Sequence, residues 1–249
     1  MKTKAIILAG GFGKRTQGVL NHLPKTLIVT HDGKTILDHL LIDLINNHRI
    51  ETIIITNNRY WQLIKDRVNQ NYPNAKISIL NNGKNKIEEK LGALGDLMFA
   101  LDHDGFSAEL YLVLPSDTTY WQSFSLTDFI TFVDSHKNDF VTIVRDVRNP
   151  QIIKERFGCA LLNNKNQIVD FIEKPVVPAS TFAAVPFYVY RKKHIKVLKS
   201  YIRTGGNLDS PGSIISYLTK NKITVFAFIV NDKIIDSGTP EDIEKAKEY

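Results

Sequence analysis

The sequence predicts an α/β fold in which a mixed, largely parallel sheet is flanked by helices. Two observations carry this expectation. Through residues 1–150, short apolar runs rich in β-branched residues alternate with segments of helical period, the pattern of parallel strands covered on both faces. Beyond about residue 150, two strand-length segments flank Asn163-Asn164-Lys165-Asn166, as a hairpin or a pair of adjacent strands would.

Taken in order, Ala5-Ile6-Ile7-Leu8 is the first buried strand, running directly into Gly10-Gly11-Phe12-Gly13. Thr35 and Asp38 have capping-box spacing, and Ile36, Leu37, Leu40, Leu41, Leu44 and Ile45 recur at helical intervals, so a helix begins at Thr35. Alternation then predicts a strand over 52–56, a helix over 60–68, a strand over 76–80 and a helix over 94–101. A fully apolar strand over 110–114, a helix over 126–135 and a strand over 141–144 complete the first part. Further strands are expected over 159–162, 168–172, 187–190 and 224–229. Ser210-Pro211 and Thr239-Pro240 each set a cap residue before a proline suited to the first helical position, so helices should start there. No repeat or long linker interrupts the chain, and a single domain over residues 1–249 is the economical expectation.

Composition narrows the function. With 43% hydrophobic and 23% charged residues the chain is not disordered. The net charge of +6 is spread along the sequence rather than gathered in a tail, which suits nucleotide-sized anions better than nucleic acid. A generically soluble surface accounts for it about as well. Cys159 is the only cysteine, which excludes an intrachain disulfide and a cysteine zinc site. The seven histidines lack metal-ligand spacing, and Trp61, Trp121 and the tyrosines form no stacking pattern for RNA. No apolar run reaches transmembrane length, so a cytoplasmic protein without membrane or nucleic-acid partners is expected.

The loop Leu8-Ala9-Gly10-Gly11-Phe12-Gly13-Lys14-Arg15 carries the first chemical signal, because glycines directly after a buried strand let backbone amides approach a polyphosphate. A Walker A loop is excluded by Leu8 and Arg15, and a Rossmann fingerprint by Thr16 at the third glycine position. Pro24-Lys25 follows ten residues after Arg15. Arg15 and Lys25 are either two cations around one phosphate chain or solvated loop residues. Asp117 follows the 110–114 strand, at the sheet end where open α/β folds bind ligands, and Asp236 follows Lys233-Ile234-Ile235. Carboxylates from distant strands suit magnesium, which takes one or two of them plus phosphate oxygens and water. Strand-end turns or caps are the competing roles. Glu173-Lys174-Pro175 sets a carboxylate and an ammonium at a strand end, where a bend near Pro175 would let both reach one ligand. Asp102-His103-Asp104 has the look of a glycosyltransferase metal motif but follows a helix, and a turn is expected there.

In this order the motifs resemble those of the sugar-phosphate nucleotidyltransferases, a family that includes glucose-1-phosphate thymidylyltransferases and mannose-1-phosphate guanylyltransferases. The likeness runs from residue 4 to about 247. It implies a Rossmann-like fold of the nucleotide-diphospho-sugar transferase type, with residues 1–150 mainly binding nucleotide and 151–249 mainly binding sugar phosphate. Leu8, Ala9, Gly10, Gly11, Gly13 and Gly92 would line the nucleotide. Arg15 would contact the departing pyrophosphate and Lys25 a phosphate. Asp117 and Asp236 would hold Mg2+, Gly158 and Glu173 the sugar, and Lys174 the phosphate of the sugar. The implied catalytic groups are Arg15, Lys25 and Lys174. Ser116 stands where the family has glycine, Ile234 where it has an aromatic residue, and Asp96 where a small residue is usual. Asn207-Leu208-Asp209-Ser210-Pro211-Gly212 matches a subgroup without an assigned substrate.

The expected activity is transfer of a nucleotide from a nucleoside triphosphate to a sugar 1-phosphate, with release of pyrophosphate. A cytidylyltransferase acting on phosphocholine, a glycosyltransferase and a non-catalytic nucleotide-sugar sensor remain alternatives. The base, the sugar, the pathway and the oligomeric state, a homo-oligomer included, are not written in the residues.

Overall fold

The computed structural model describes residues 2–14, 16–20, 23–119, 124–231 and 235–248. Its strands in chain order are β1 (Thr3–Ala9), β2 (Glu51–Thr56), β3 (Ile77–Asn81), β4 (Leu110–Pro115), β5 (Thr118–Thr119) and β6 (Phe140–Asp146), then β7 (Cys159–Leu162), β8 (Ile168–Ile172), β9 (Phe182–Arg191), β10 (Val225–Val230) and β11 (Ile235–Asp236). The helices are α1 (Gln17–Leu20), α2 (Ile36–Leu41), α3 (Asn58–Asn71) and α4 (Ala93–Asp104), then α5 (Leu126–Ser135), α6 (Lys192–Arg203), α7 (Ser213–Lys220) and α8 (Pro240–Lys247).

The fold is mixed α/β. A nine-stranded sheet has the order β10-β6-β9-β4-β1-β2-β3, with β7 paired to β8 and β9. β1, β2 and β3 run parallel, with Ile6 beside Ile53 and Ile54 beside Ile79. β6 and β9 are antiparallel, as are β7 and β8. Every residue of β4 is buried, which explains why its sequence carries no polar alternation.

Two compact units divide the chain. The first comprises Met1–Ala108, Val113–Trp121 and Ile234–Tyr249. There Ile6, Ile7, Leu37, Ile64 and Leu97 are fully buried, and Leu20, Ile28, Ile36, Ile243 and Ala246 form a separate cluster under α8. The expected capping box is present, with the Thr35 side chain accepting from the Asp38 amide and Asp38 accepting from the Thr35 amide. α2 then loosens into a π-helical stretch, Ile42–Asn47. The second unit comprises Glu109–Leu112 and Gln122–Lys233. Its core is aromatic: the Phe129 ring lies 4.9 Å from Phe187 and 5.4 Å from Phe228, separations at which tilted and edge contacts are favourable.

Three local expectations need correction or addition. The helix expected at Ser210-Pro211 starts at Ser213, because residues 210–213 first close a turn in which the Ser213 amide donates to the Ser210 carbonyl at 3.0 Å. Asp102-His103-Asp104 is the last turn of α4 rather than a separate turn, and Asp104 is held there by Lys4 at 2.6 Å. α6 lies outside the sequence expectations, although Ile195, Leu198 and Tyr201 recur every third residue and are its buried face. Thr239-Pro240 does start α8. Among the described residues, no helix is long and apolar enough to cross a membrane.

Candidate functional site

In the first unit, the glycine loop leaves the carboxyl end of β1 and is held from beneath by side chains. Asn57 follows β2 and caps α3, its Oδ1 accepting from the Tyr60 amide at 3.1 Å. Its Nδ2 turns the other way and donates to the carbonyls of Gly10 at 3.1 Å and Gly11 at 3.5 Å. Tyr60 Oη donates to the Phe12 carbonyl at 3.3 Å. Gly13 then reverses the chain at φ +63°, where glycine avoids the left-handed penalty, and its carbonyl accepts from the Thr16 amide at 2.9 Å. Carbonyls of the loop are therefore committed, whereas the amides of Gly11 and Gly13 donate to no partner among the described residues. Free amides beside glycines are the raw material of an anion cradle. Leu8 is half-buried and Ala9 buried at the end of β1.

Gly10 is glycine for want of room. A Cβ there would stand 2.0 Å from Asp96 Oδ2. Asp96 is 5% exposed, and its Oδ1 accepts from Asn82 Nδ2 at 2.7 Å. Burial pushes its pKa up to about 6, against a smaller lowering by the Asn82 hydrogen bond. Asn82 Oδ1 in turn accepts from the Lys84 amide at 3.0 Å, so Asp96 ties the glycine loop to the segment after β3. Gly92 caps α4 at φ +77°, and its carbonyl accepts from the Asp96 amide at 2.9 Å.

Lys25 lies on a one-turn 3-10 helix, Lys25–Leu27, after Pro24. Its Nζ is 3.1 Å from Asp117 Oδ2, with the side chains 16% and 32% exposed respectively. Asp117 sits between β4 and β5. β5 pairs antiparallel with β11, placing Asp236 opposite Thr118, and the Ser237 amide donates to the Asp117 carbonyl at 3.0 Å. Residues more than a hundred positions apart thus become backbone neighbours. The side chain of Asp236 and all of Arg15, Trp121, Lys233 and Ile234 lie outside the described residues. Among the described residues there is no cluster of three or more metal-ligating side chains.

In the second unit, Gly158 precedes β7 and Glu173 follows β8. A Cβ on Gly158 would meet Phe171 Cζ at 2.3 Å and Glu173 Oε2 at 3.2 Å, so this glycine too is set by close approach. Burial raises the Glu173 pKa, partly offset by the Lys174 charge. The bend expected near Pro175 is realised at Lys174, which has φ +47° and is exposed. A lysine in the left-handed region is uncommon and costs about 1 kcal/mol or more; the Pro175 carbonyl, accepting from the Glu155 amide at 3.0 Å, helps hold the bend.

Sequence reasoning missed Asn57, Asn82 and the buried setting of Asp96. A signal existed for the last. Asp96 falls on the same helical face as Ala100 and between Leu94 and Leu97, all buried, an apolar stripe in which a lone carboxylate stands out.

The comparisons agree with this architecture. A family model described as nucleotidyl transferase matches residues 4–249. A glucose-1-phosphate adenylyltransferase of Mycoplasma mobile is 26% identical over 252 residues, covering 94% of this chain and 63% of that protein. A bifunctional protein GlmU of Methanocaldococcus jannaschii is 25% identical over 247 residues, covering 98% of this chain and 53% of that protein. The chain therefore spans between about half and just under two thirds of the length of these curated relatives. The 2.76 Å crystal structure of a Bacillus anthracis protein proposed to be a glucose-1-phosphate thymidylyltransferase, in complex with a sucrose, shares the fold. Its TM-score is 0.78 at 22% identity, with 98% of this chain and 94% of that one covered.

Proposed function

The chain belongs to the nucleotidyl transferase family, and from that premise we propose that it joins a nucleoside triphosphate to a sugar 1-phosphate and releases pyrophosphate. The observation that carries this reading is the β5–β11 pairing, which makes Asp236 a neighbour of Asp117 while Lys25 sits on the Asp117 carboxylate. One cation and two acidic residues at a strand end, in the same unit as a loop with uncommitted amides, suit a reaction between phosphates.

A phosphate oxygen of the sugar 1-phosphate attacks the α-phosphorus of the nucleotide. The new P–O bond forms as the bond from the α-phosphorus to the β-bridging oxygen breaks, and pyrophosphate carries away the electron pair. The nucleophile is already an anion, so no general base is required, and catalysis is alignment with charge neutralisation. The Gly11 and Gly13 amides would hold phosphate oxygens, Lys25 the reacting phosphates and Arg15 the leaving group. Gly158 and Glu173 would hold the sugar, and Lys174 its phosphate.

Asp117 and Asp236 would hold magnesium. The donor set fits, since two carboxylates leave coordination places for phosphate oxygens and water, and the Asp117 side chain, 32% exposed, is open to them. Bound magnesium supplies neutralisation of charge shared by the two reacting phosphates. The test is pyrophosphate release from a matrix of nucleoside triphosphates against sugar 1-phosphates with magnesium, phosphocholine being included as a non-sugar acceptor. Release with at least one sugar 1-phosphate supports the reading, and silence across every sugar would end it.

A further inference from the structure

The segment Asn207-Leu208-Asp209-Ser210-Pro211-Gly212 has no part in the roles above. Gly212, at its end, caps α7 with φ −64° and ψ −24°, a right-handed conformation open to any residue. Backbone conformation therefore does not require glycine, but space does. A Cβ on Gly212 would stand 2.4 Å from Glu173 Oε2 and 3.1 Å from Phe171 Cζ. These are the same two atoms that a Cβ on Gly158 would meet. One carboxylate oxygen and one ring edge thus run between two glycines that are 54 positions apart, 158 and 212.

The start of α7 is fastened to β8, because Ser216 Oγ, one turn beyond Gly212, donates to the Phe171 carbonyl at 2.5 Å. The helix end does not satisfy Glu173. Its Ser213 and Ile215 amides donate to the carbonyls of Ser210 and Gly212, at 3.0 and 2.9 Å, and Glu173 accepts no hydrogen bond among the described residues. Glu173 is half-buried, and a carboxylate held in a slot with no protein donor keeps its acceptor sites for water or for the hydroxyls of a ligand.

We infer that Gly212 is a positioning residue for the sugar 1-phosphate, forming with Gly158 the slot that aims the Glu173 carboxylate at the hydroxyls of the sugar. This rests on the function proposed above. The 207–212 segment thereby delivers a residue without a side chain to one wall of the slot.

The experiment compares wild type, Gly212→Ala, and Gly212→Ala combined with Glu173→Asp, using the best sugar 1-phosphate from the matrix. The obstructing atom is the end of a flexible side chain, so the added methyl displaces the carboxylate rather than the backbone. The KM for sugar 1-phosphate should rise at least roughly tenfold in Gly212→Ala, the scale of a lost hydrogen bond to a charged group, while the KM for nucleotide stays unchanged. Withdrawing the carboxylate by one methylene in the double variant should recover part of that loss. An unchanged sugar KM, or an equal rise in both KM values, would overturn the inference. Should Gly212→Ala fail to fold, Gly212→Ala with Glu173→Ala removes the clash and must restore the melting temperature; a double variant that stays unfolded also overturns it. A wild-type enzyme silent with every sugar 1-phosphate would instead refute the underlying function.

Discussion

Replacing Asp96 by asparagine isolates the energy stored beneath the glycine loop. The carboxylate is 5% exposed and its pKa is raised from 3.8 to about 6, chiefly by burial. Because the folded protein holds this proton more tightly than the unfolded chain, the associated stability is fully present below about pH 4 and lost as pH rises through 6. At about 1.4 kcal/mol per pH unit, ionised Asp96 lowers stability above pH 7 by about 3 kcal/mol. The amide keeps an oxygen for Asn82 and never ionises. Urea unfolding of both proteins from pH 4 to pH 8 measures the difference. Asp96→Asn should gain on wild type as pH rises between 4 and 6.5, by up to about 3 kcal/mol, and then run parallel to it. Every other titrating group cancels in the difference. A gap that does not vary with pH would refute the assignment of that proton to Asp96.

Other substitutions probe the remaining contacts. Asp117→Asn should reduce pyrophosphate release on the order of 100-fold or more. Its urea midpoint should barely move, because the Lys25 pair is partly exposed. Gly10→Ala puts a methyl 2.0 Å from Asp96 Oδ2 and should cost about 1–3 kcal/mol; Asp96→Ala in the same chain should recover most of that in a melting experiment. Asn57→Ala removes both the α3 cap and the ties to Gly10 and Gly11. It should cost about 1–2 kcal/mol of stability and raise the KM for nucleotide while leaving that for sugar phosphate unchanged.

The centre of the sheet was legible because β1, β2, β4 and most of β6 are nearly continuous buried runs, as in the all-buried Leu110–Pro115. Caps with a local code were legible too: Thr35 with Asp38 needs only a three-residue spacing, and Thr239 only the proline that follows it. What could not be read was pairing at long range. Nothing near Thr118 announces that Asp236 will lie opposite it, because a two-residue ladder has too little pattern to register. Glycine is legible when φ requires it, as at Gly92, and opaque when a distant atom does, as with Asp96 at Gly10 or Glu173 at Gly212. α6 shows a different failure. Its lysines and arginine crowd the solvent face, and the apolar positions that define the buried one are few.

Some of the features that work against folding lie beside the residues assigned to function. The buried hydroxyls of Thr26, Thr56 and Ser237 have no hydrogen-bond partner among the described residues, and they adjoin Lys25, Asn57 and Asp236 in sequence. Each such group costs about 1–3 kcal/mol relative to a satisfied or apolar one. Asp96 adds the penalty of a buried carboxylate, and Lys174 that of a left-handed backbone. Selection for stability alone would favour valine at the threonines and an apolar residue at 96, since local rules broken without compensation are removed wherever nothing else depends on them. At Thr26, Thr56, Asp96 and Ser237, which adjoin Lys25, Asn57, Gly10 and Asp236 in sequence or in space, a polar residue retained at that cost is what a site yields when its geometry serves a phosphate-bearing ligand.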